Sequence, residues 1–545
     1  MIVGKSKGIV FAIAVGVVLV AGFGESSTAA QAGRIHCVTD ISHEFTFYFD
    51  GRFGRNYVGE NGIDVRNWGT LHKYDFANAN LLVLQSGASP CRYLPEDIEA
   101  VEKFLRDGGG VVVLGDYATF RGQEGYQLNA LAEHFGAEFV DQRATKPLKG
   151  YNVLEGKEIE SYSPKTVKFK DNVGWEVLVR DADGNAVMAR RAVGKGKLVV
   201  ASRSLCGRKP DASDPINDKW WKPLLQDVAA GKKVEASRRP RNQMPESRTE
   251  RERLPIQYSD YMKSYADAIY GVYDECFPVI QEVMGVPPSE GMLTNLILLP
   301  TGGGGFSSGS SIGLAAWWGG FPEKKYGMVE LISHESTHSW VHPFTEPMWN
   351  EGIATYVGIL VGRRMWLEDD ANRTLEGWIR GARRYDPDMK KYDLAHGEDV
   401  PHSVRMAKPM WIFEELSKER PDIVARYFRA KRRLATRDKI SKYTADDSVA
   451  VLSIAAGRDL FGWFRSLGIT VDKSKAQIEM KDLGLFEDSC DVGEVEHSGA
   501  SEYLAEKGQY RITGGGENMW GREDAFQYLW REVSGGLELT AKVKW

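Results

Sequence analysis

The chain has 545 residues, 27% charged and 42% hydrophobic, with a net charge of −5. That length allows several domains, each large enough to bury a core, and the mildly acidic balance argues against a nucleic-acid partner. Five scattered cysteines (Cys37, Cys91, Cys206, Cys276, Cys490) form no C-x-x-C pair, which argues against a cysteine metal site and leaves an odd thiol over.

Residues 1–32 read as a secretory signal. Lys5 and Lys7 give a positive start, Ile9–Ala21 is a short apolar run, and Ala30-Gln31-Ala32 fits the small-residue cleavage rule. The run is short and broken by glycine, which favours cleavage over a membrane anchor. The expected location is outside the cytoplasm: secreted, periplasmic or at the cell surface. No other stretch is long and apolar enough to span a bilayer.

Residues 33–232 form the first expected domain. Asn80–Gln85 reads as a buried strand, and Val111–Leu114 as the next. Between them, Pro95–Arg106 carries Ile98, Val101, Phe104 and Leu105 on one helical face, with proline at its start and Gly108-Gly109-Gly110 at its end. Strand, helix, strand at this spacing predicts an α/β domain with a parallel sheet. Leu128–Phe135 reads as a further helix and Leu198–Ala201 as a late strand. The text LPEDIEAVEKFLRDGGGVVVLGDY resembles the class I glutamine-amidotransferase-like fold. Active members place a cysteine on the turn after the second strand; here that turn is Gly115-Asp116-Tyr117-Ala118. The resemblance therefore implies a non-catalytic accessory domain.

Residues 233–255 are polar and charge-dense and read as an exposed, solvated linker. Residues 256–485 form the next expected domain. Tyr258–Val283 reads as a helix, Asn295–Leu299 as a strand, Thr301–Ser310 as a glycine- and serine-rich loop, and Ser311–Trp318 as a strand. The loop is either a mobile cover for a substrate or a loose connection.

His334-Glu335-Ser336-Thr337-His338 follows, on an apolar helical pattern from Tyr326 to Val341. Residues four apart lie one above the other on a helix. Both imidazoles can then aim at one Zn²⁺, with Glu335 placed to take a proton from water. A second helical pattern begins near Trp349 and offers Glu351 as third ligand, with Gly352 and Ala354 allowing close packing. His342 and Glu346 compete for that role. His342 is four residues after His338 and next to Pro343; Glu346 lies in the connection between the helices.

HESTH followed by WNEGIATY resembles the gluzincin metallopeptidases, whose third ligand is such a glutamate. The short gap to Glu351 is most similar to the M60-like (enhancin-like) peptidases, which include secreted enzymes acting on mucin-type glycoproteins. Asp447–Asp472 is also similar to the helical end of that family. The resemblance implies an α+β peptidase domain with a helical C-terminal subdomain and a zinc-dependent endopeptidase acting on protein, including O-glycosylated protein. It also implies that the strand before the metal helix, with Trp317 and Trp318 near it, binds extended substrate; plain core packing is the other reading of the tryptophan pair. Aminopeptidase relatives carry a glutamate motif on that strand. No acid occurs between Thr301 and Pro322, which favours an endopeptidase. An oxyanion donor is expected among Tyr385, Tyr392, His396 and His402, and Tyr392 and His402 are taken forward. A broad secreted protease and a glycoprotein-binding adhesin without turnover are the competing functions.

Trp411–Arg433 reads as two helices around Pro421 with a solvated basic end, and Asp447–Gly457 and Leu460–Leu467 complete the helical part. Residues 486–545 turn to β. Tyr510–Thr513, Ala525–Arg531 and Leu537–Val543 are expected strands, and GQYRITGGGENMWGREDAFQYLW resembles the opening of a concanavalin-like β-sandwich. Three strands cannot close a sandwich, so an incomplete module with poorly protected edges is expected.

Overall fold

The computed structural model describes residues 34–42, 53–58, 62–86, 92–116, 126–171, 173–207, 215–235, 237–300, 304–342, 344–437, 440–478, 486, 488–504, 507–516, 524–530 and 538–544. The expected signal, residues 1–32, and Cys91 lie outside them. Among the described residues no helix is long and apolar enough to cross a membrane. Cys37 and Cys276 are buried free thiols.

By contact density the chain divides into two units. One runs to Val279 and takes in Pro288–Trp340 and Val361–Asp370; the other comprises Ile280–Pro287, Val341–Leu360 and the chain from Ala371 onward.

In the first unit the N-terminal elements are β1 (Ile35–Asp40), α1 (Phe53–Tyr57), β2 (Gly62–Asn67), β3 (Leu81–Ser86), α2 (Pro95–Arg106), β4 (Gly110–Gly115), α3 (Asn129–His134), β5 (Ala137–Arg143), β6 (Lys149–Gly150), β7 (Lys165–Phe169), β8 (Glu176–Arg180), β9 (Ala186–Val193), β10 (Gly196–Ser202) and α4 (Asp218–Ala229). Eight strands form one sheet in the order β2-β1-β3-β4-β10-β9-β8-β6. The first five are mutually parallel. The last three are antiparallel, so the sheet is mixed and not parallel as expected. The physical reason is the short β8–β9 hairpin. Its turn is closed by Asp181, whose carboxylate accepts from the backbone N–H groups of Asp183 and Asn185, with Gly184 at φ 86°.

Strand periodicity explains the uninterrupted apolar runs. Val111 and Val113 enter the core that contains Val101 and Phe104 of α2. Val112 and Leu114 enter the opposite core, with Trp221 and Leu224 of α4. Helix α2 starts with Pro95 at its first position, and the Asp97 carboxylate accepts from Leu94 N–H (3.0 Å) and His72 N–H (2.9 Å). It ends at Gly108, φ 98°.

Residues 233–255 are not a solvated tether. Gln243 pairs along β2, donating to Arg66 O (3.0 Å) and accepting from Trp68 N–H (2.8 Å). Glu246 accepts from Thr70 N–H (3.1 Å). The charged side chains reach water while the backbone covers a sheet edge that would otherwise stay open. The segment then supplies β11 (Ser247–Thr249), the first strand of a second sheet.

That sheet adds β12 (Ile256–Tyr258), β13 (Asn295–Leu299), β14 (Gly305–Ser307) and β15 (Ser311–Ala315), in the order β11-β12-β13-β15-β14. Helix α5 (Lys263–Met284) precedes β13, and α6 (Lys325–Trp340) follows β15. β15 is parallel to β13, and β14 is antiparallel to β15. The terminal strand is therefore β14, inside the stretch expected as a loop, and not β15.

The second unit is helical. It contains most of α7 (Asn350–Arg364) and α8 (Glu368–Arg383), with α9 (His402–Ser417), α10 (Ile423–Arg437), α11 (Ala445–Ala456) and α12 (Phe461–Ser466). Helix α11 has a capping box, Thr444 with Asp447, and ends on Gly457 at φ 71°. Lys408 is fully buried; its ammonium donates to Tyr392 O (2.6 Å) and Leu467 O (2.7 Å) and stands 3.6 Å from Asp386.

The tail holds β16 (Asp488–Val492), β17 (Ala500–Leu504), β18 (Gln509–Thr513) and β19 (Phe526–Trp530). β16 pairs with β19 and β17 with β18, as two separate two-stranded sheets. Two of the expected strands are present. The third, Leu537–Val543, is not: residues 538–544 are not in a strand. β16 and β17 have short, polar sequences without clear alternation, which is why they were not expected.

Candidate metal centre

Helix α6 is buried on most sides: Met328, Val329, Leu331, Ile332, Ser333, Ser336 and Thr337 are all covered. Its polar side chains are absorbed locally. Ser333 Oγ donates to Val329 O and Thr337 Oγ1 to Ser333 O, each at 2.7 Å. Its N-terminal part packs on the turn before it so tightly that a Cβ on Gly327 would fall 2.4 Å from Gly319 Cα. At the other end Ser339 Oγ donates to Gly309 O (2.8 Å). The helix is thus tied at both ends to the chain that flanks β14 and β15.

The one-turn spacing does what the pattern predicts. His334 and His338 bring their Nε2 atoms to 3.2 Å, with ring planes at 81°. Two nitrogens about 2.0–2.1 Å from one tetrahedral zinc lie about 3.3 Å apart. Glu351, in the first turn of α7, completes a group of three whose ligand atoms all lie within 4.8 Å of one another. Its Oε1 accepts from Asn350 Nδ2 at 3.0 Å. A carboxylate in a first helical turn also meets the positive end of the helix dipole. Two imidazoles and one carboxylate form a donor set that fits Zn²⁺ with a fourth position left for water.

Glu335 is 6% exposed. Its carboxylate lies against β14: a Cβ on Gly305 would fall 2.8 Å from Glu335 Oε1. One turn before His334, Glu330 accepts from Trp318 Nε1 (3.2 Å), and burial raises its pKa. Glu330 is not among the expected site residues, although its place four residues before His334 is the available signal.

The competing third ligands are placed elsewhere. Glu346 is fully buried in an ion pair with Lys431 and accepts from Tyr427 Oη (2.6 Å). His342 is not part of the three-ligand group; burial first, then the Lys431 and Arg432 charges, lower its pKa.

The other expected site residues have these surroundings. Trp317, expected at the substrate, is 2% exposed and meets Tyr265 edge-on at 6.0 Å, so it is core. Trp318 is half-buried and its indole is committed to Glu330. Tyr392 packs against the small cluster of Ala382, Met389, Val400, Val404 and Ala407. His402 opens α9 with its ring 5.9 Å from Trp378, which packs on the same cluster. Lys431, expected on a solvated basic face, has a fully buried side chain.

In the N-terminal sheet, Asp116 directly follows β4. It accepts from Ser202 Oγ (2.5 Å), and burial, the largest influence, raises its pKa to about 6.

Residues 55–204 match the DUF4350 family, a domain of unknown function. This match ends before the second sheet and helices α6 and α7. Among solved structures, a cytoplasmic protein from Salmonella typhimurium is similar at 14% identity, covering 36% of this chain and 99% of its own, with a TM-score of 0.27. A ThuA-like protein from Parabacteroides merdae is similar at 12% identity, covering 38% and 95%, with a TM-score of 0.26. A ThuA-like protein from Bacteroides uniformis is similar at 13% identity, covering 40% and 99%, with a TM-score of 0.25. No curated protein matches the chain.

Proposed function

We propose that this protein is a secreted zinc-dependent endopeptidase of the gluzincin type, acting on protein or glycoprotein chains. The observation that carries the reading is the convergence of His334, His338 and Glu351 next to a buried acid, Glu335, in the order of an H-E-x-x-H helix.

His334, His338 and Glu351 would hold the metal. A Zn²⁺ held there would supply Lewis acidity to water and to the scissile carbonyl. Glu335 accepts a proton as the water oxygen bonds to the carbonyl carbon, and returns it to the amide nitrogen as the C–N bond breaks. The second water proton stays on its oxygen, so the products are a carboxylic acid and an amine, which ionise to carboxylate and ammonium, and Glu335 ends as it began. Burial of Glu335 excludes bulk water from its proton and suits it to that exchange.

β14 supports a peptide as substrate. It is the terminal strand of its sheet and lies against Glu335. An extended chain adding to it would bring a backbone carbonyl to the acid through main-chain pairing alone. The glycoprotein part of the reading rests on the resemblance to M60-like peptidases.

The test compares wild type with Glu335→Ala, with metal analysis, on bare peptides and on O-glycosylated ones. The expected result is about one zinc per chain in both proteins and cleavage by wild type alone. Cleavage confined to glycosylated substrates supports the mucin-type specificity, and cleavage of bare peptide assigns a broad protease. Zinc-loaded wild type that is as inert as the variant on every substrate would sink the enzyme reading and leave an adhesin.

A further inference from the structure

Nine residues, 341–349, carry the chain from the end of α6 to the start of α7, and so from His338 to Glu351. A connection of that kind usually runs over the surface and moves. This one is gripped from within by a single cation. The Lys431 ammonium donates to Val341 O (2.9 Å), to Phe344 O (2.7 Å) and to the Glu346 carboxylate. All three acceptors lie in the connection, and neither Lys431 nor Glu346 has side-chain exposure.

One turn earlier on α10, Tyr427 donates to the other Glu346 oxygen at 2.6 Å. Its ring also lies 5.9 Å from Trp349, which is held among Phe413 and Phe464 as well. Trp349 is the residue before α7. Tyr443 stacks on Phe344 at 5.9 Å, and the Lys431 ammonium lies 4.9 Å from the Tyr443 ring centre. The connection is therefore held at its start by Lys431, in its middle by the Glu346 pair, and at its end by Trp349.

A buried ion pair is a poor way to gain stability, because the desolvation cost of both charges offsets their attraction. What such a pair does supply is a unique geometry: three acceptors fixed around one point. The carbonyl of Val341 would otherwise be a buried acceptor in need of a donor, and that of Phe344 a part-buried one.

We propose that Lys431, through Glu346 and the carbonyls of Val341 and Phe344, is a positioning residue that sets where Glu351 stands relative to His334 and His338, and so sets metal affinity. This rests on the metal-site reading above and goes beyond it, since Lys431 touches neither metal nor substrate. Groups that orient ligands from behind commonly change metal affinity by about 10- to 100-fold when removed.

The test uses the full chain with Lys431→Met, and with the charge-neutral pair Glu346→Gln plus Lys431→Met. The single variant leaves a buried carboxylate uncompensated and is expected to fold poorly. The double variant keeps volume and the Tyr427 acceptor, and is expected to fold. Two readouts are taken: zinc affinity by competition with a chelator of known affinity, and hydrogen exchange of the metal-free proteins. The double variant is expected to bind zinc about 10- to 100-fold more weakly, with faster exchange in 344–354 and unchanged exchange in α11. Leu224→Ala, a core change in the N-terminal sheet domain, is the control. It is expected to lower stability without changing zinc affinity, which separates positioning from general loosening. Wild-type zinc affinity in the folded double variant overturns the proposal. Wild type that binds no zinc overturns the metal reading instead, and unchanged exchange in 344–354 of the double variant then overturns the clamp as well.

Discussion

Gly305 and Glu335 are in such close contact that the glycine has no room for a side chain. A Cβ at 305 would meet Glu335 Oε1 at 2.8 Å, Glu335 Cγ at 2.9 Å and Gly313 O at 2.5 Å. The terminal strand β14 and the proposed proton carrier therefore fit one another through a missing methyl. Gly305→Ala must push either the strand pairing or the carboxylate aside. The expected outcome is a loss in kcat/KM of about 10- to 100-fold, since small misplacements of reacting groups cost rates of that order. Zinc content should stay at the wild-type level, because the three atoms nearest a Cβ there belong to Gly313 and Glu335, neither of them in the three-ligand group. Full activity in Gly305→Ala would show that Glu335 is not constrained from this side.

Trp317 gives a second prediction, one that separates packing from recognition. Its ring is almost fully buried against Tyr265. Trp317→Ala is expected to cost about 3–5 kcal/mol of stability, as deletion of a large buried side chain does, measured as a lowered denaturation midpoint. A KM effect without loss of stability would restore the tryptophan to the substrate site.

Some of this was readable from the residues and some was not. Pro95–Arg106 and Asn295–Leu299 have the expected bounds, because their signals are local: a proline at the helix start, an unbroken apolar run for a strand buried on both faces. The convergence of His334, His338 and Glu351 was readable for the same reason. Helical spacing alone stacks His334 over His338, and Glu351 sits at the first turn of the next helix. β14 was not readable. Its pairing with β15 is made by the main chain of Gly305, Phe306 and Ser307, and nothing in a glycine- and serine-rich text advertises main-chain bonds. Lys431 was misread because its partner Glu346 is 85 positions away, and a basic run on a helix is ordinarily solvated. The linker failed in the same way. Its charges do reach water, while the backbone of Gln243 completes a sheet edge formed far earlier in the chain.

Asp116 carries a pH prediction for the N-terminal domain. Burial raises its folded pKa to about 6, above the ordinary aspartate value of about 3.9. Between those values the folded state holds a proton that the unfolded state has released. The contribution of Asp116 to stability is therefore fully present below about pH 4, is lost as pH rises toward about 6, and is flat above. The loss is on the order of 1–3 kcal/mol. Asp116→Asn should flatten that slope and be the more stable protein at pH 7.5, while keeping an acceptor for Ser202. Denaturant midpoints at pH 4.5 and 7.5 check it. An unchanged slope in the variant would assign the pH dependence to other groups.

Metal linkage gives the last prediction, and it does not depend on finding a substrate. A ligand that binds only the folded state stabilises it by about 2.7 kcal/mol at a hundredfold excess over Kd. Zinc should therefore raise the thermal midpoint of the chelator-treated wild type. His334→Ala and Glu351→Ala should lose most of that rise, since each removes one of the three convergent ligand atoms. Glu335→Gln should keep it, because Glu335 is not in the three-ligand group and acts on the proton rather than on the metal. His342→Ala should also keep it, as that imidazole lies outside the group. The decisive comparison is between Glu351→Ala and His342→Ala. If the rise survives the first and vanishes in the second, the third ligand has been misassigned and with it the helix pairing from which the function is argued.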